Sequence, residues 1–508
     1  MDFLIGYGTL AVFFIGVILV LERTRRAAGG DFTDYAVAGR SFGSWFQAMA
    51  FLNTWLPGTI FIAFAGLAAS AGVIGYYVVS YSLLAVLFML FMAQKVFDWG
   101  RAFNLRTQAD FVGMRYNSKA VRIVAALIGV VASFPWLILG FQSLGLVFSY
   151  LSFGAVSPTL AVFAGIAVLG IRQIWTVRLG MRGIVISDMV QGVFAYGVGG
   201  LVALGLIVWL MSQGLGFAAL PPDFAALPGP GSGLGPLYYL SIVATGALGS
   251  WCWPDIFVRL FTARSAQAVR NSAVKAAPIL LLFLAILLTM AMLAHQLPEV
   301  AAAPDNVWFL TAAHGGPFVL ALAGTAVFAA TAGNVNALTA AIGTHTAQDV
   351  IHIGGADEAT TTRTARAAIV AATVLAVIGA ILTVNVTVGL LTLALASYQG
   401  IVQLAPALYL GIFWRRGNAA AALAGMLTGF AVAVVLQLLY PVSIPELGGL
   451  TSGVVGLAVN TLVYVGLSYA LPQDAAERAR IDRLFRDLGQ AGTDGAPVPA
   501  GGLAPARD

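Results

Sequence analysis

The sequence predicts an all-α protein that crosses a membrane about thirteen times around two interrupted helices. Three observations predict this fold class: the hydropathy of the chain, the sorting of its basic residues between alternate loops, and two breaks rich in Gly and Pro within apolar segments. Of the 508 residues, 60% are hydrophobic and 9% are charged, and the mean hydropathy is +0.91. A soluble globule of this size would need far more polar surface.

Thirteen apolar runs reach the roughly 20 residues that a helix needs to cross a bilayer. They fall at 3–21, 43–70, 74–94, 120–150, 158–177, 184–212, 236–258, 273–295, 316–345, 366–385, 387–413, 418–440 and 450–471. The first run has no basic residue before it, whereas Arg23, Arg25 and Arg26 follow it. It is therefore predicted to remain as a helix and not to be a cleaved signal peptide.

The distribution of Lys and Arg predicts the topology, because basic residues gather in the cytoplasmic loops. All 26 lie in alternate connections, and the connections between those carry none. The basic connections are 23–40, 95–122, 172–182, 259–275, 363–366, 415–416 and 478–507. The N-terminus is therefore predicted outside and the C-terminus inside. The net charge of +5 reflects this sorting and gives no support for a nucleic-acid partner.

The first break lies in the stretch AMAFLNTWLPGTIFIAF, residues 48–64, which is too apolar for a loop. Pro57 removes a backbone donor, and Gly58 lowers helix propensity. The seventh run repeats this pattern with GALGSWCWP at 246–254. Because freed carbonyl groups are tolerated in a membrane where the backbone lines a polar cavity, both breaks are candidate ion or substrate sites. Paired breaks in two repeated halves are typical of secondary transporters.

The breaks divide the chain into parts. Residues 43–212 and 236–413 form two sets of five helices, and since five is odd, the second set must run inverted relative to the first. Residues 1–42 add an N-terminal helix and a cytoplasmic connector, 418–471 add two helices, and 472–508 form a cytoplasmic tail.

The tail combines apolar residues at helical spacing with four arginines in 478–486. The apolar positions are Ile481, Leu484, Phe485 and Leu488. This pattern predicts a helix on the inner membrane surface. The remainder, 489–508, has the composition of a disordered segment.

Polar residues within the apolar runs are further site candidates. Asp188 is costly to bury in a membrane and is a candidate for ion coupling, the alternative being a structural ion pair with Arg178 or Arg182. The core spans are expected to hold no basic residue near their middle. A predicted solute site between the breaks comprises Thr54, Trp55, Gln142, Trp251, Trp253 and Gln399. The sequence shows no phosphate loop, carboxylate pair or nucleophile with a base at useful spacing, so an enzyme is not expected.

Three segments, taken in order along the chain, resemble the sodium:solute symporter family: DYAVAGRSFGSW (34–45), RLGMRGIVISDMVQ (178–191) and WPDIFVRLFTARS (253–265). The resemblance extends to about residue 470. It implies an inverted-repeat, LeuT-like core of five plus five helices and cation-coupled uptake of a small polar organic solute. Phe134-Pro135-Trp136 is similar to the monocarboxylate-transporting branch, whereas Ser187-Asp188 and Gln191 are typical of other branches, which leaves the substrate open.

The resemblance also implies a sodium site. Its positions are the carbonyl groups of Asn53 and Leu56 in the first break and Ala330, Gly333 and Asn334 in the ninth span. An alternative alignment on Leu56-Pro57-Gly58 moves the first two ligands to Trp45 and Ala48. The resemblance implies hydroxyl side chains at the positions of Gly333 and Asn334. Because Gly333 has no side chain, the sodium site requires that Asn334 or Thr331 compensate for the missing oxygen.

The sequence thus predicts a multi-pass protein of a bacterial cell membrane that imports a small polar solute, such as a carboxylate or an amino acid, by symport with sodium. One alternative is a proton-coupled symporter of the same fold, in which Asp188 would carry the proton. Another is a membrane sensor that does not transport.

Overall fold

The computed structural model describes residues 2–24, 31–383 and 390–494, and within them the chain is helical with two isolated β-bridges. The α-helices are α1 Asp2–Thr24, α2 Phe32–Val37, α3 Ser44–Trp55, α4 Ala63–Ala71, α5 Tyr77–Ala102, α6 Gln108–Tyr116, α7 Lys119–Leu151, α8 Pro158–Gly192, α9 Gly199–Ser212, α10 Tyr238–Gly249, α11 Pro254–Phe257, α12 Arg259–Thr262, α13 Ala266–Ala294, α14 Pro298–Ala302, α15 Val307–Ala313, α16 Gly316–His345, α17 Glu358–Thr383, α18 Leu390–Ile401, α19 Gly411–Phe413, α20 Ala419–Leu439, α21 Ser452–Ala470 and α22 Ala475–Asp494.

In the described part of the chain, nine helical segments are long and apolar enough to cross a membrane. Two of them, Gly58–Ala102 and Leu160–Ser212, contain 45 and 53 residues. At about 1.5 Å per residue, each is roughly twice the length that one crossing needs. Gly72 and Gly180 lie within these segments with φ values of 63° and 56°, and a reversal of the chain at each would make two crossings. The count of thirteen crossings and the division into repeats stay predictions.

Helix α16 is the centre of the bundle. In the segment Gly316–Ile351, which contains α16, 83% of the most apolar 18-residue stretch is buried. In α1 the buried share is 22%, so most of that helix faces outward. The sequence explains the close packing, because α16 is rich in Ala and Gly, which let neighbouring backbones approach. Gly324 lies against Leu151 of α7, and Gly343 lies against Ile369 of α17. Both broken helices pack onto this helix.

The helix predicted in the tail forms, but its apolar face does not face lipid. In α22, Ile481 and Leu484 are each 1% exposed, and the Phe485 ring lies 5.5 Å from that of Trp99 on α5. The prediction of a helix on the membrane surface is therefore wrong for this face, because the protein itself offers an apolar surface there. Residues 495–508 of the predicted disordered segment lie outside the described residues.

The predicted orientation can be tested with reporters. A reporter fused after Gly214 is expected to be active only outside the cell, and one fused after Lys275 only inside. The expectation follows from the sorting of all 26 basic residues. Paired alkaline phosphatase and green fluorescent protein fusions at each position would measure it, and a reversed result at either position would contradict the orientation.

Candidate solute and ion site

Both helices that the sequence predicts to be broken are interrupted at the predicted places. Helix α3 ends at Trp55, Pro57 is extended with φ −65° and ψ 168°, and regular α-helix resumes at Ala63. In the second break, Trp253 is extended with φ −71° and ψ 130°, and Pro254 begins α11. Proline lacks the N–H that a continuous helix would use, so the local chemistry of the backbone favours each break.

The carbonyl groups at the first break find donors from other helices. The side-chain amide of Asn334 on α16 donates to the Thr54 carbonyl at 3.0 Å. The hydroxyl of Tyr196 lies 3.0 Å from the Leu52 carbonyl and 2.9 Å from the Leu56 carbonyl. In a membrane such partners are required, because no bulk water is present to replace them.

The second break is held in a similar way by residues of α6 and α7. The side-chain amide of Gln108 on α6 donates to the Cys252 carbonyl at 2.6 Å. Gly129 of α7 lies against the ring of Pro254, where a Cβ would approach to 2.8 Å. Neither Gln108 nor Tyr196 could be predicted from the local sequence, since each comes from a helix distant along the chain.

Asp188 is fully buried and lies at the centre of a polar network. Its Oδ1 accepts a hydrogen bond from the Asn53 amide at 3.0 Å, and its Oδ2 forms an ion pair with Arg259 Nη2 at 3.1 Å. The same Arg259 nitrogen donates to the Thr54 hydroxyl at 2.7 Å. The network therefore joins α8 to both broken helices.

The partner of Asp188 differs from the sequence-based alternatives. Arg182 instead pairs with Asp34 at 2.6 Å, and Asp188 pairs with Arg259. Arg172 and Arg259 are each 1% exposed, and Arg172 donates to Ser187, next to Asp188, at 2.8 Å. Both arginines belong to connections that the sequence analysis placed in the cytoplasm, 172–182 and 259–275, yet their side chains are buried beside Asp188. The expectation that the core spans hold no basic residue near their middle stays a prediction.

A small cavity lies between the two breaks. Its water-accessible volume is about 30 Å³, which holds about two water molecules. The lining residues are Thr54, Trp55, Pro57, Trp136, Trp253, Asp255, Ile256, Asn334, Leu338 and Tyr398. The rings of Trp136, Trp253 and Tyr398 are nearly perpendicular to one another, with interplanar angles of 87–89°.

Of the six residues predicted to bind solute, three line this cavity: Thr54, Trp55 and Trp253. The other three, Gln142, Trp251 and Gln399, lie outside this cavity, and their role in solute binding stays a prediction. Trp251 stacks on Phe51 at 5.5 Å and donates to the Ala85 carbonyl at 2.9 Å. It points away from Trp253, as expected for positions two apart.

The remaining two predicted solute residues face neighbouring helices. Gln142 donates to Thr383 of α17 at 2.9 Å. Gln399 accepts from the backbone N–H of Gly453 in α21 at 2.8 Å. Sequence reasoning gave no weight to Asp255 as a solute residue, although a carboxylate directly after a proline break in an apolar run was a detectable signal.

The positions predicted for sodium lie next to one another but are engaged with other groups. Gly333 lies against Asn53, and a Cβ added to it would overlap the Asn53 amide. This contact and the bond of Asn334 to Thr54 favour the first alignment of the break. Trp45, the alternative, is 52% exposed. The sodium-binding role of Asn53, Leu56, Ala330, Gly333 and Asn334 stays a prediction.

Comparison with solved structures supports the fold. A Na⁺-coupled sialic acid symporter in a substrate-bound outward-open state superposes with a TM-score of 0.75 at 14% identity, covering 92% of this chain and 99% of that one. Mhp1, a nucleobase-cation-symport-1 family transporter in a closed conformation, gives 0.52 at 15% identity, covering 89% and 98%. Both are LeuT-fold transporters, so the predicted fold class is confirmed.

Sequence comparison identifies the family. The chain is 25% identical over 279 residues to the uncharacterized symporter YhjB of Bacillus subtilis, covering 53% of this chain and 54% of that protein. It is 25% identical over 473 residues to a monocarboxylic acid transporter of Corynebacterium glutamicum, covering 86% and 84%. The family model matches residues 35–429, most of the chain, and it describes transporters and not enzymes. The protein is an integral membrane protein that belongs to the sodium:solute symporter family.

Proposed function

We propose that this protein imports a small polar organic solute across a bacterial plasma membrane, and that the solute binds in the cavity between the two breaks. The observation that carries the proposal is that both interrupted helices line one buried cavity. Such a cavity offers unwound backbone and polar side chains at the depth where a transported solute must be held. Relatives in Bacillus and Corynebacterium fit this location.

The two broken helices are joined on the side predicted to be cytoplasmic. The Arg264 N–H donates to the Phe42 carbonyl at 3.0 Å, and the Gln47 amide donates to the Thr262 hydroxyl at 2.8 Å. We propose that these contacts block the path from the cavity to the cytoplasm. We expect them to separate when solute is released.

We propose sodium as the coupling ion, bound beside Tyr196. The Tyr196 hydroxyl lies within 3.2 Å of three oxygen atoms: the Leu52 and Leu56 carbonyl oxygens and Asn53 Oδ1. One hydroxyl proton can serve only one of these oxygens at a time. A cluster of four oxygen atoms that shares one hydroxyl proton suits a hard monovalent cation. The Tyr196 oxygen would then replace the side-chain oxygen that Gly333 lacks.

Proton coupling is the second candidate, and a different observation favours it. The side-chain amide of Asn53 donates to Asp188, and that of Asn334 donates to the Thr54 carbonyl. These donors occupy acceptors near the predicted sodium position, and a titratable carboxylate lies among them. In this case Asp188 would gain and lose the proton that drives uptake.

Uptake into proteoliposomes separates the two candidates. Labelled carboxylates, amino acids and sugars would be screened with an imposed gradient of sodium or of protons. With sodium coupling, Tyr196→Phe is expected to raise the sodium concentration for half-maximal uptake about tenfold, the factor that corresponds to roughly 1.4 kcal/mol.

Tyr7→Phe is the matched control, because its hydroxyl donates to the Phe148 carbonyl at 2.8 Å away from the breaks. Its sodium dependence should equal that of the wild type. If a proton gradient drives accumulation without sodium, and Tyr196→Phe accumulates solute like the wild type, the coupling ion is a proton and not sodium. No gradient-driven accumulation of any solute would contradict the transport function itself.

A further inference from the structure

The cavity contains a carboxylate, Asp255, with an oxygen that accepts no hydrogen bond from the network around Asp188. Asp255 is 2% exposed, and its Oδ1 makes no hydrogen bond to any residue that the structure describes. It lines the cavity directly after Pro254, on the second break. Burying a carboxylate oxygen without a hydrogen-bond partner costs free energy. We therefore expect a group of the solute to bind to this oxygen.

The charges around the cavity restrict which group of a solute can bind to Asp255. Among the described lining residues, Asp255 is charged and none is basic. Arg259 follows four positions later and its charge reaches Asp255. It does not line the cavity, and its Nη2 is engaged by Asp188 at 3.1 Å and by Thr54 at 2.7 Å. A simple anion would therefore meet a carboxylate with no cation in the lining to offset it.

The rings of the cavity favour a positively charged group. Trp136, Trp253 and Tyr398 stand at right angles, with centroids 5.4–6.1 Å apart. Aromatic faces attract ammonium groups through their quadrupoles, and walls of this kind around a carboxylate are suited to amines and quaternary ammonium ions.

The lining also has a donor for a carboxylate at the other end of a zwitterion. Trp136 Nε1 is buried and has no hydrogen-bond partner among the described residues. One indole N–H can orient a solute carboxylate but cannot neutralise its charge. The acceptor, Asp255, and the donor, Trp136, thus line one cavity, and the charge among its described lining residues is negative.

Building on the proposed transport function, we infer that the solute carries an ammonium group, as an amino acid, a betaine or an organic amine does, and that Asp255 binds this group between the rings of Trp136, Trp253 and Tyr398. Asp255 is then a specificity-determining residue. A solute whose only charge is a carboxylate is not the substrate.

Binding to the purified full-length protein tests this inference. Quenching of tryptophan fluorescence would be titrated with glycine betaine, proline and choline as ammonium probes, and with acetate and pyruvate as anions. We expect binding of at least one ammonium probe and of neither anion. Asp255→Asn, which keeps the shape and removes the charge, should weaken the ammonium probe about tenfold or more, and Asp255→Glu should retain part of the affinity.

Two further variants make the result specific. Asp223→Asn makes the same chemical change at an exposed carboxylate of an outer-side loop and should bind like the wild type. If Asp255→Asn does not fold, as judged by size-exclusion chromatography, Trp253→Leu tests the same inference, since loss of a ring face should weaken the ammonium probe.

The outcomes separate this inference from the transport function. Gradient-driven uptake of acetate or pyruvate, with no binding of an ammonium probe, would overturn the inference and leave transport intact. An ammonium probe that binds equally to the wild type and Asp255→Asn would also overturn it. Absence of all uptake would contradict transport, and the fluorescence titration would still decide the role of Asp255.

Discussion

Replacing Arg259 with methionine is expected to abolish uptake and to lower the free energy of unfolding by about 3–5 kcal/mol, the usual cost of removing one partner of a buried ion pair. Both Arg259 and Asp188 have fully buried side chains. Methionine keeps the apolar stem but leaves the Asp188 carboxylate without its cation, and it also removes the donor to the Thr54 hydroxyl. Thermal unfolding in detergent, together with uptake into proteoliposomes, measures both effects.

A double substitution separates the charge from the packing. Arg259→Met combined with Asp188→Asn removes both charges and should recover most of the lost stability, although not uptake. Arg264→Met changes an exposed arginine five positions further on and serves as the control, with stability close to that of the wild type. An Arg259→Met protein as stable as the control would show that the ion pair contributes little.

Substituting serine for Gly333 is expected to reduce both stability and uptake, even though it supplies the hydroxyl that the family carries there. A Cβ at this position would overlap the Asn53 amide and lie 3.1 Å from Asp188 Oδ1. Asn53 links Asp188 to Tyr196, so its displacement disturbs both groups. Overpacking of this kind costs about 1–3 kcal/mol.

The matched control is Gly205→Ser, because a Cβ at Gly205 of α9 meets no atom within 4 Å. Melting temperatures of the two variants give the comparison. Gly333→Ser combined with Asn53→Ala makes room for the new side chain and should recover stability. If Gly333→Ser alone melts like Gly205→Ser, the tight contact between α3 and α16 is not present in the folded protein.

Much of the fold could be predicted because the relevant physics is local. Hydropathy alone indicates spanning helices, since a bilayer admits few structures that satisfy the backbone. Pro57 and Pro254 lack an N–H and Gly58 lowers helix propensity, so the local sequence favours breaks there. Proline alone does not decide this, because Pro135 and Pro278 lie inside the continuous helices α7 and α13. Asp188 was detectable for a similar reason, because a carboxylate within an apolar run is costly in any arrangement.

The site required knowledge of how helices face one another. Trp251 and Trp253 are close in sequence, yet one is packed against Phe51 and the other lines the cavity. Gln142 and Gln399 are polar residues in apolar runs, as solute-binding residues often are, but their partners lie on α17 and α21. Sequence specifies that such groups need partners, and it does not specify which neighbouring helix supplies them.

The sequence by itself determined that this protein is an α-helical membrane protein with two interrupted helices and a buried carboxylate, because each of these follows from backbone chemistry or from the cost of burying charge. Only the tertiary structure decided that Arg259 pairs with Asp188, that Tyr196 reaches the first break, and that Asp255 lines the cavity. The reason is geometric: a break resets the helical register, so the direction of each side chain beyond it depends on packing between helices that are distant along the chain.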